Sequence, residues 1–121
     1  MTTANIITVN DIRGTTTATL LSTSFATQIS NPGSSGKAYK VNTIIVSNTN
    51  TSAVNVSLEF YRDSVGISLG SEIGVPANAS VVLISKDTSI YLDEGDAIRA
   101  KGSSANYLNF VGSWEELYSP V

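Results

Sequence analysis

The chain has 121 residues, 41% of them hydrophobic and only 14% charged, a balance that excludes disorder and fits one small domain with a single core. Seven basic and ten acidic residues give a net charge of −3, so we predict no nucleic-acid partner. The absence of Cys and His excludes disulfides, thiolate or histidine metal sites, and a Ser-His-Asp catalytic centre.

The first third of the chain is irregular and rich in threonine. Its opening, MTTANIITVNDIRG, lacks a basic region followed by a long apolar segment, and no stretch approaches the ~18 apolar residues of a membrane helix. We therefore predict no secretion signal and no membrane partner. The segments IITV, TTATLLST and SFATQI are β-like, and the NPGSSGK loop at 31–37 follows them.

Two neighbouring runs show the clearest strand periodicity. In AVNVSLEFYR, residues 53–62, apolar side chains occupy every second position at 54, 56, 58 and 60, which is typical of a half-buried strand. The preceding run, YKVNTIIVSN, places 39, 41, 43 and 45 on one face and 44 and 46 on the other. Because a polar SNTNTS connection joins the runs, we predict that 39–62 is a long hairpin.

The rest of the chain continues in short β-type segments. VGISLGSEI alternates from 65 to 73, the PAN sequence marks a turn before the apolar run 81–84, and 90–92 and 97–101 flank an acidic stretch. The last run has Leu108, Phe110, Gly112 and Trp114 on one face. Seven to nine strands with very little helix predict an all-β fold: an antiparallel β-sandwich, jelly-roll or immunoglobulin-like, forming a single domain over 1–121.

Three carboxylates surround a glycine at Asp93, Glu94, Gly95 and Asp96, which we call the acidic turn. Acidic turns can supply oxygen ligands to Ca²⁺, which needs six to eight of them. The spacing does not match an EF-hand loop, however, and Gly95 suits a tight turn with positive φ between two strands. We favour the turn over the calcium site and predict no metal-binding residue and no cofactor.

Few residues offer catalytic chemistry. Glu115 and Glu116 are adjacent carboxylates, but neighbouring side chains of a strand point to opposite faces, so the two cannot converge on one glycosidic bond. We predict that the protein is not an enzyme and that Glu115 and Glu116 form a charged strand terminus. Tyr61 and Tyr107 lie opposite the main apolar stripe and are candidate contact residues on an assembly or ligand surface.

The order of segments carries a family resemblance. KVNTIIVSNTNTSAVNVSLEFYRD is followed by VPANASVVLIS and then by IYLDEGDAIRAKGSSANYLNFVGSWEEL. Over residues 38 to 117 this order resembles small β-sandwich virion proteins of tailed bacteriophages, with an SNT connection, a VPA turn and an L-x-E-G-D-x-I/L-x-A turn before a Ser-rich loop. The chain departs from that group at ISNPGSSGKAY, where many members have a VPAG turn.

The resemblance implies a virion structural protein without catalytic residues, present in many copies as a capsid decoration, neck or tail accessory subunit. It implies a homo-oligomer whose partners are itself and other virion proteins. The acidic side chains at Asp93 to Asp96 would then be solvated, and residues 1–15 would form an extended N-terminal arm toward a neighbouring subunit. The alternative is a carbohydrate- or receptor-binding module associated with a fibre, which would need exposed aromatics on a concave face.

Overall fold

Nine β-strands and one short 3-10 turn account for the regular structure of residues 11–118, the part of the chain that a computed structural model describes. The 3-10 turn covers Lys86–Thr88. The strands are β1 (Asp11–Leu20), β2 (Ala26–Ser30), β3 (Lys37–Asn48), β4 (Val54–Arg62), β5 (Val65–Val75), β6 (Ser80–Ile84), β7 (Ile90–Leu92), β8 (Ala97–Gly102) and β9 (Leu108–Tyr118). The predicted strand-rich, helix-poor character is confirmed.

The strands form two antiparallel sheets. Sheet A has the order β1-β9-β3-β6, with β7 also pairing with β3, and sheet B has the order β2-β8-β4-β5. Six of the eight connections between consecutive strands cross from one sheet to the other. This wrapping is the jelly-roll topology. It confirms the predicted β-sandwich and decides between its two forms.

The core lies between the two sheets and is made of their facing side chains. In β4 the alternation predicted from sequence is confirmed, with positions 54, 56 and 58 buried and position 60 packed against the core. The face predicted for β9 is also confirmed, since Leu108, Phe110 and Gly112 are buried and Trp114 packs at the margin. The largest fully buried apolar side chains are Leu21, Ile29, Ile44, Leu92, Ile98, Leu108 and Phe110.

The predicted hairpin over 39–62 is wrong. β3 pairs with β6, β7 and β9 in sheet A, whereas β4 pairs with β5 and β8 in sheet B, so the 49–53 connection crosses between the sheets. The faces predicted for β3 are also wrong. The register shifts between Val41 and Thr43, and Tyr39, Val41, Ile44 and Val46 are all buried. One extra residue at a bulge reverses the in-out order of a period-two strand.

A two-residue hairpin instead joins β4 to β5. Arg62 pairs with Val65, and the two residues between them, Asp63 and Ser64, have φ of 53° and 64°. Positive φ at both central positions is the conformation of a type I′ turn, whose twist matches that of the flanking strands.

The N-terminal boundary of the described structure falls at β1, which pairs with β9 from Asp11 onward. Residues 11–15 of the predicted arm therefore belong to sheet A. Its first ten residues, which include the IITV segment, lie outside the described residues. Over residues 11–118 no helix is long and apolar enough to cross a membrane.

Candidate functional site

The acidic turn connects β7 of sheet A to β8 of sheet B. Gly95 has a φ of +88°, as its position between acidic residues predicted. The amide of Asp96 donates to the carbonyl of Asp93 over 3.0 Å, which closes the turn. The turn itself is therefore confirmed, and it joins two sheets because β7 and β8 are not partners.

The prediction that the acidic side chains of the turn are solvated is wrong for Glu94 and Asp96. Asp96 is 1% exposed and Glu94 is 2% exposed. The Asp96 carboxylate accepts hydrogen bonds from Nε and Nη2 of Arg62, at 2.8 and 2.6 Å, and from the backbone amide of Asp93 at 2.8 Å. Charged groups can be buried when they are paired and hydrogen-bonded in this way. The solvated turn is thus corrected to a buried ion pair.

Arg62 supplies the positive charge beside these carboxylates. Its Nη2 also lies 3.4 Å from Oδ2 of Asp93, so one guanidinium faces two of the three carboxylates. The hydrogen bond to Asp96 is the main cause of the raised pKa of Arg62, and the charges of Asp96 and Asp93 add to it against the opposing effect of burial. In residues 11–118, no group of three acidic side chains is arranged to hold a metal ion.

A second buried polar residue, Asn31, fastens the acidic turn to the loop before β3. Its side-chain Nδ2 donates to the carbonyls of Lys37 and Leu92, both at 2.9 Å. Its backbone carbonyl accepts from Gly95 at 2.7 Å, and its amide donates to the carbonyl of Asp96 at 3.0 Å. Because every one of these groups bonds within the protein, the acidic turn is a structural clamp at one end of the sandwich.

The adjacent carboxylates Glu115 and Glu116 both lie inside β9, so the predicted strand terminus is displaced to Tyr118. They take different partners, as strand alternation predicted. Glu115 accepts from Asn42 over 2.7 Å, whereas Glu116 accepts from Nζ of Lys37 over 2.9 Å. Two carboxylates held by separate partners do not form the facing pair that glycoside hydrolysis requires.

The surroundings of Glu116 shift its pKa. Burial acts to raise its pKa, but the hydrogen bond and charge of Lys37, with hydrogen bonds from Trp114 and Thr15, outweigh burial and leave the pKa below its ordinary value. The pKa of Lys37 is raised in turn, mainly by the hydrogen bond to Glu116. The Lys37–Glu116 pair borders an open cavity of about 320 Å³ that is also lined by Ile12. We assign the ion pair a structural role.

The two tyrosines chosen as contact candidates have different environments. Tyr61 is half-buried on β4, and the Arg99 guanidinium lies 4.4 Å from its ring centroid. Arg99 also forms an ion pair with Glu59 at 3.1 Å and lies 5.6 Å from the ring of Phe25. Tyr107 is exposed in the loop just before β9. Only Tyr107 has the exposure expected of a contact residue, and its role stays a prediction.

The free surfaces that stand out are two long strand edges. β1 has ten residues and pairs only with β9 among the described strands, and β5 has eleven and pairs only with β4. Their exposed apolar side chains are Ile12 and Leu20 on β1 and Val65, Ile67 and Leu69 on β5. Unpaired edges with exposed apolar residues are sites where another strand can add. We take these edges as the candidate interaction sites.

The protein is therefore a jelly-roll β-sandwich. Its ion pairs connect segments of the same subunit, and among the described strands β1 and β5 each pair on one side only. No protein-family model matches the sequence, and no curated protein matches it. The chain is similar to a protein of Bacillus endospore appendages, a novel family of disulfide-linked pili, with a TM-score of 0.54 and 18% identity over 90% of this chain and 88% of that one. At this identity the likeness shows the fold.

A second match is to a chain in the structure of infectious bursal disease virus Gx strain. It has a TM-score of 0.49 and 10% identity, and it covers 91% of this chain and 34% of that one.

The sequence did not single out Arg62 and Asn31, the two residues that hold the acidic turn in place. Arg62 is 34 positions from Asp96, and only the pairing of β4 with β8 brings the two strands together. Asn31 was assigned to an ordinary loop. The signal available was indirect: a concentration of carboxylates in a weakly charged chain predicts that a cation lies nearby, but not which one.

Proposed function

We propose that the chain is a non-enzymatic structural protein of a tailed-bacteriophage virion, present in multiple copies as a capsid decoration, neck or tail accessory subunit. The observation that carries the proposal is the pair of long, open strand edges with exposed apolar side chains on β1 and β5. Natural proteins usually protect such edges with charges, proline or bulges. The register between β4 and β5 shifts opposite Val56 to Glu59, but the Val65 to Ser68 part of β5 pairs regularly and contains no charge, proline or bulge. The segment order resembling phage virion proteins supplies the setting.

Two further observations support this role. The fold is similar to that of a protein of Bacillus endospore appendages, which form a family of disulfide-linked pili. This chain has no Cys, so its contacts with neighbours would be non-covalent. Its ionic clusters at Asp96 and Glu116 are engaged within the subunit, so the proposal places association at the backbone edges of β1 and β5.

The carbohydrate-binding alternative needs exposed aromatic side chains that lie close together. Among the described residues the exposed aromatic side chains include Tyr91 on β7, Tyr107 before β9 and Tyr118 at the far end of β9. Residues 107 and 118 are separated by the length of an eleven-residue strand, about 36 Å. Tyr107 and Tyr118 therefore do not share one stacking platform for a sugar.

The test is association with virus particles. The purified chain is mixed with particles of its phage that lack it, and bound protein is counted after sedimentation and located by cryo-electron microscopy. We expect many copies at symmetry-related positions. A chain that stays in the supernatant, or that is missing from wild-type particles, would contradict the proposal.

A further inference from the structure

An apolar groove runs beside β5, on the open side of the sandwich. It encloses about 200 Å³. Val65 and Ile67, which are 56% and 53% exposed, lie earlier on the same strand. The apolar residues lining the groove are Leu58, Leu69, Ile73, Leu83, Ile84 and Ile90. We call this feature the β5 groove.

The groove is open because the two sheets end unevenly there. β5 has eleven residues, whereas the sheet A edge that faces it is divided into β6 with five residues and β7 with three. Residues Lys86–Thr88 lie between those two short strands as a 3-10 turn. Fewer side chains of sheet A therefore cover the inward-facing side chains of β5 than a continuous strand would supply.

The occupant that fits must offer both a strand backbone and small apolar side chains. The backbone edge of β5 away from β4 has no strand partner in the described structure. Residues 6–9 of this chain, IITV, are β-branched throughout, and the ten residues 1–10 contain no charged side chain. In a strand Ile7 and Val9 would share one face, which matches the two-residue spacing of Val65 and Ile67.

The same chain cannot place these residues in its own β5 groove. β1 and β6 are separated by three strand steps in sheet A, about 14 Å, and β5 lies another ~10 Å away in sheet B. Val9 precedes Asp11 by two residues and Ile6 by five, so an extended chain carries them at most about 7 and 17 Å from the start of β1. That reach is used up before the segment could lie along β5.

We propose that residues 6–9 of a second copy lie along β5 as an added strand of sheet B and cover the β5 groove. The proposal rests on the proposed function as an assembling subunit. The donor segment lies immediately before β1 in the sequence, and the acceptor is the open edge of β5. Because each copy has one donor segment and one β5 edge, the contact is head-to-tail and can extend into rings or filaments.

The absence of cysteine makes a cross-linking test direct. A Thr8→Cys chain is mixed with a heavier, tagged Ser68→Cys chain and treated with bismaleimidoethane, since Ser68 is exposed in β5. We expect a covalent heterodimer on a denaturing gel. The matched control replaces Ser68→Cys by Thr23→Cys, in the exposed loop between β1 and β2, and should give no heterodimer.

Three outcomes would overturn the proposal. One is no heterodimer, and another is equal cross-linking to Ser68→Cys and Thr23→Cys. The third is a Thr8→Cys/Ser68→Cys double variant that cross-links only within one chain, which would place the segment in its own groove.

A second measurement uses full-length chains without cysteine. Ile67→Lys places a charge on β5, where the added strand would cover it, and should weaken self-association at least tenfold in light scattering, because burying a charge without a partner is costly. Val82→Lys is the matched control, since Val82 is also exposed, at 61%, but lies on the outer side of β6. Equal association of the two variants would contradict the proposal.

Particle binding by the unmodified chain separates the two proposals. If the chain sediments with phage particles but no cross-link forms, the strand exchange is wrong and the virion role stands. If the cross-link forms without particle binding, the strand exchange stands and the virion role is wrong.

Discussion

Replacing Asp96 by Asn should destabilise the fold strongly while preserving its shape. The Asp96 carboxylate is buried and accepts three hydrogen bonds, two of them from Arg62. Removing one partner of a buried ion pair typically costs about 3–5 kcal/mol. The Arg62 side chain is 40% exposed, so water can solvate part of the released charge, and the amide oxygen of Asn keeps one acceptor.

We therefore expect Asp96→Asn to lower the free energy of unfolding by about 2–3 kcal/mol, or roughly 8–12 °C in Tm. Urea unfolding followed by circular dichroism, with the slope m unchanged, measures the loss. Asp93→Asn is the matched control. Its side chain is 33% exposed and meets Arg62 only at 3.4 Å, so the cost should stay below about 1 kcal/mol.

A double-mutant cycle between Asp96→Asn and Arg62→Gln isolates the pair itself. Residues in direct contact show coupling energies of about 0.5–3 kcal/mol, whereas independent sites add to within about 0.5 kcal/mol. We expect a coupling above about 1 kcal/mol. Additive effects, or an Asp93→Asn variant as unstable as Asp96→Asn, would refute the clamp assigned to the acidic turn.

The remaining predictions concern backbone conformation, close packing and pH. Gly95→Ala should cost about 1–2 kcal/mol in thermal unfolding because of its positive φ, whereas Gly33→Ala, with open space and no such φ, should be neutral. Gly112→Ala should cost about 1–3 kcal/mol, since its Cβ would lie 3.0 Å from buried carbon atoms. The pKa of Glu116 is lowered in the folded protein, so its ion pair stabilises the fold above pH 4.5 and this stabilisation is lost as the pH falls below that value. Glu116→Gln should therefore flatten the fall in Tm between pH 5 and pH 3. A steeper fall in that variant would contradict the assigned ion pair with Lys37.

The sequence predicted the strands well because residues with buried and exposed side chains alternate directly along each strand. The alternation at 54–60 became β4, and the turn chemistry around Gly95 became a turn with φ of +88°. Pairing was not predictable in the same way. A half-buried strand looks the same whichever sheet it joins, so β3 and β4 looked like a hairpin although they belong to different sheets.

The errors at single residues have related causes. The bulge between Val41 and Thr43 leaves no mark on composition, yet it reverses which residues face the core. The burial of Glu94 and Asp96 depends on donors far away in sequence, the Gly36 amide and Arg62. Sequence shows where carboxylates are concentrated, while their solvation depends on partners that only the fold supplies.

The positions of β8 and β9 also have a consequence for the order of folding during synthesis. They are the last two strands of the described chain, yet β9 separates β1 from β3 and β8 separates β2 from β4. A ribosome-bound chain that has produced only β1 to β7 therefore lacks the central member of each sheet. Both sheets must wait for residues 97–118, so a nascent subunit cannot present a finished edge to its neighbours before its synthesis has passed β9.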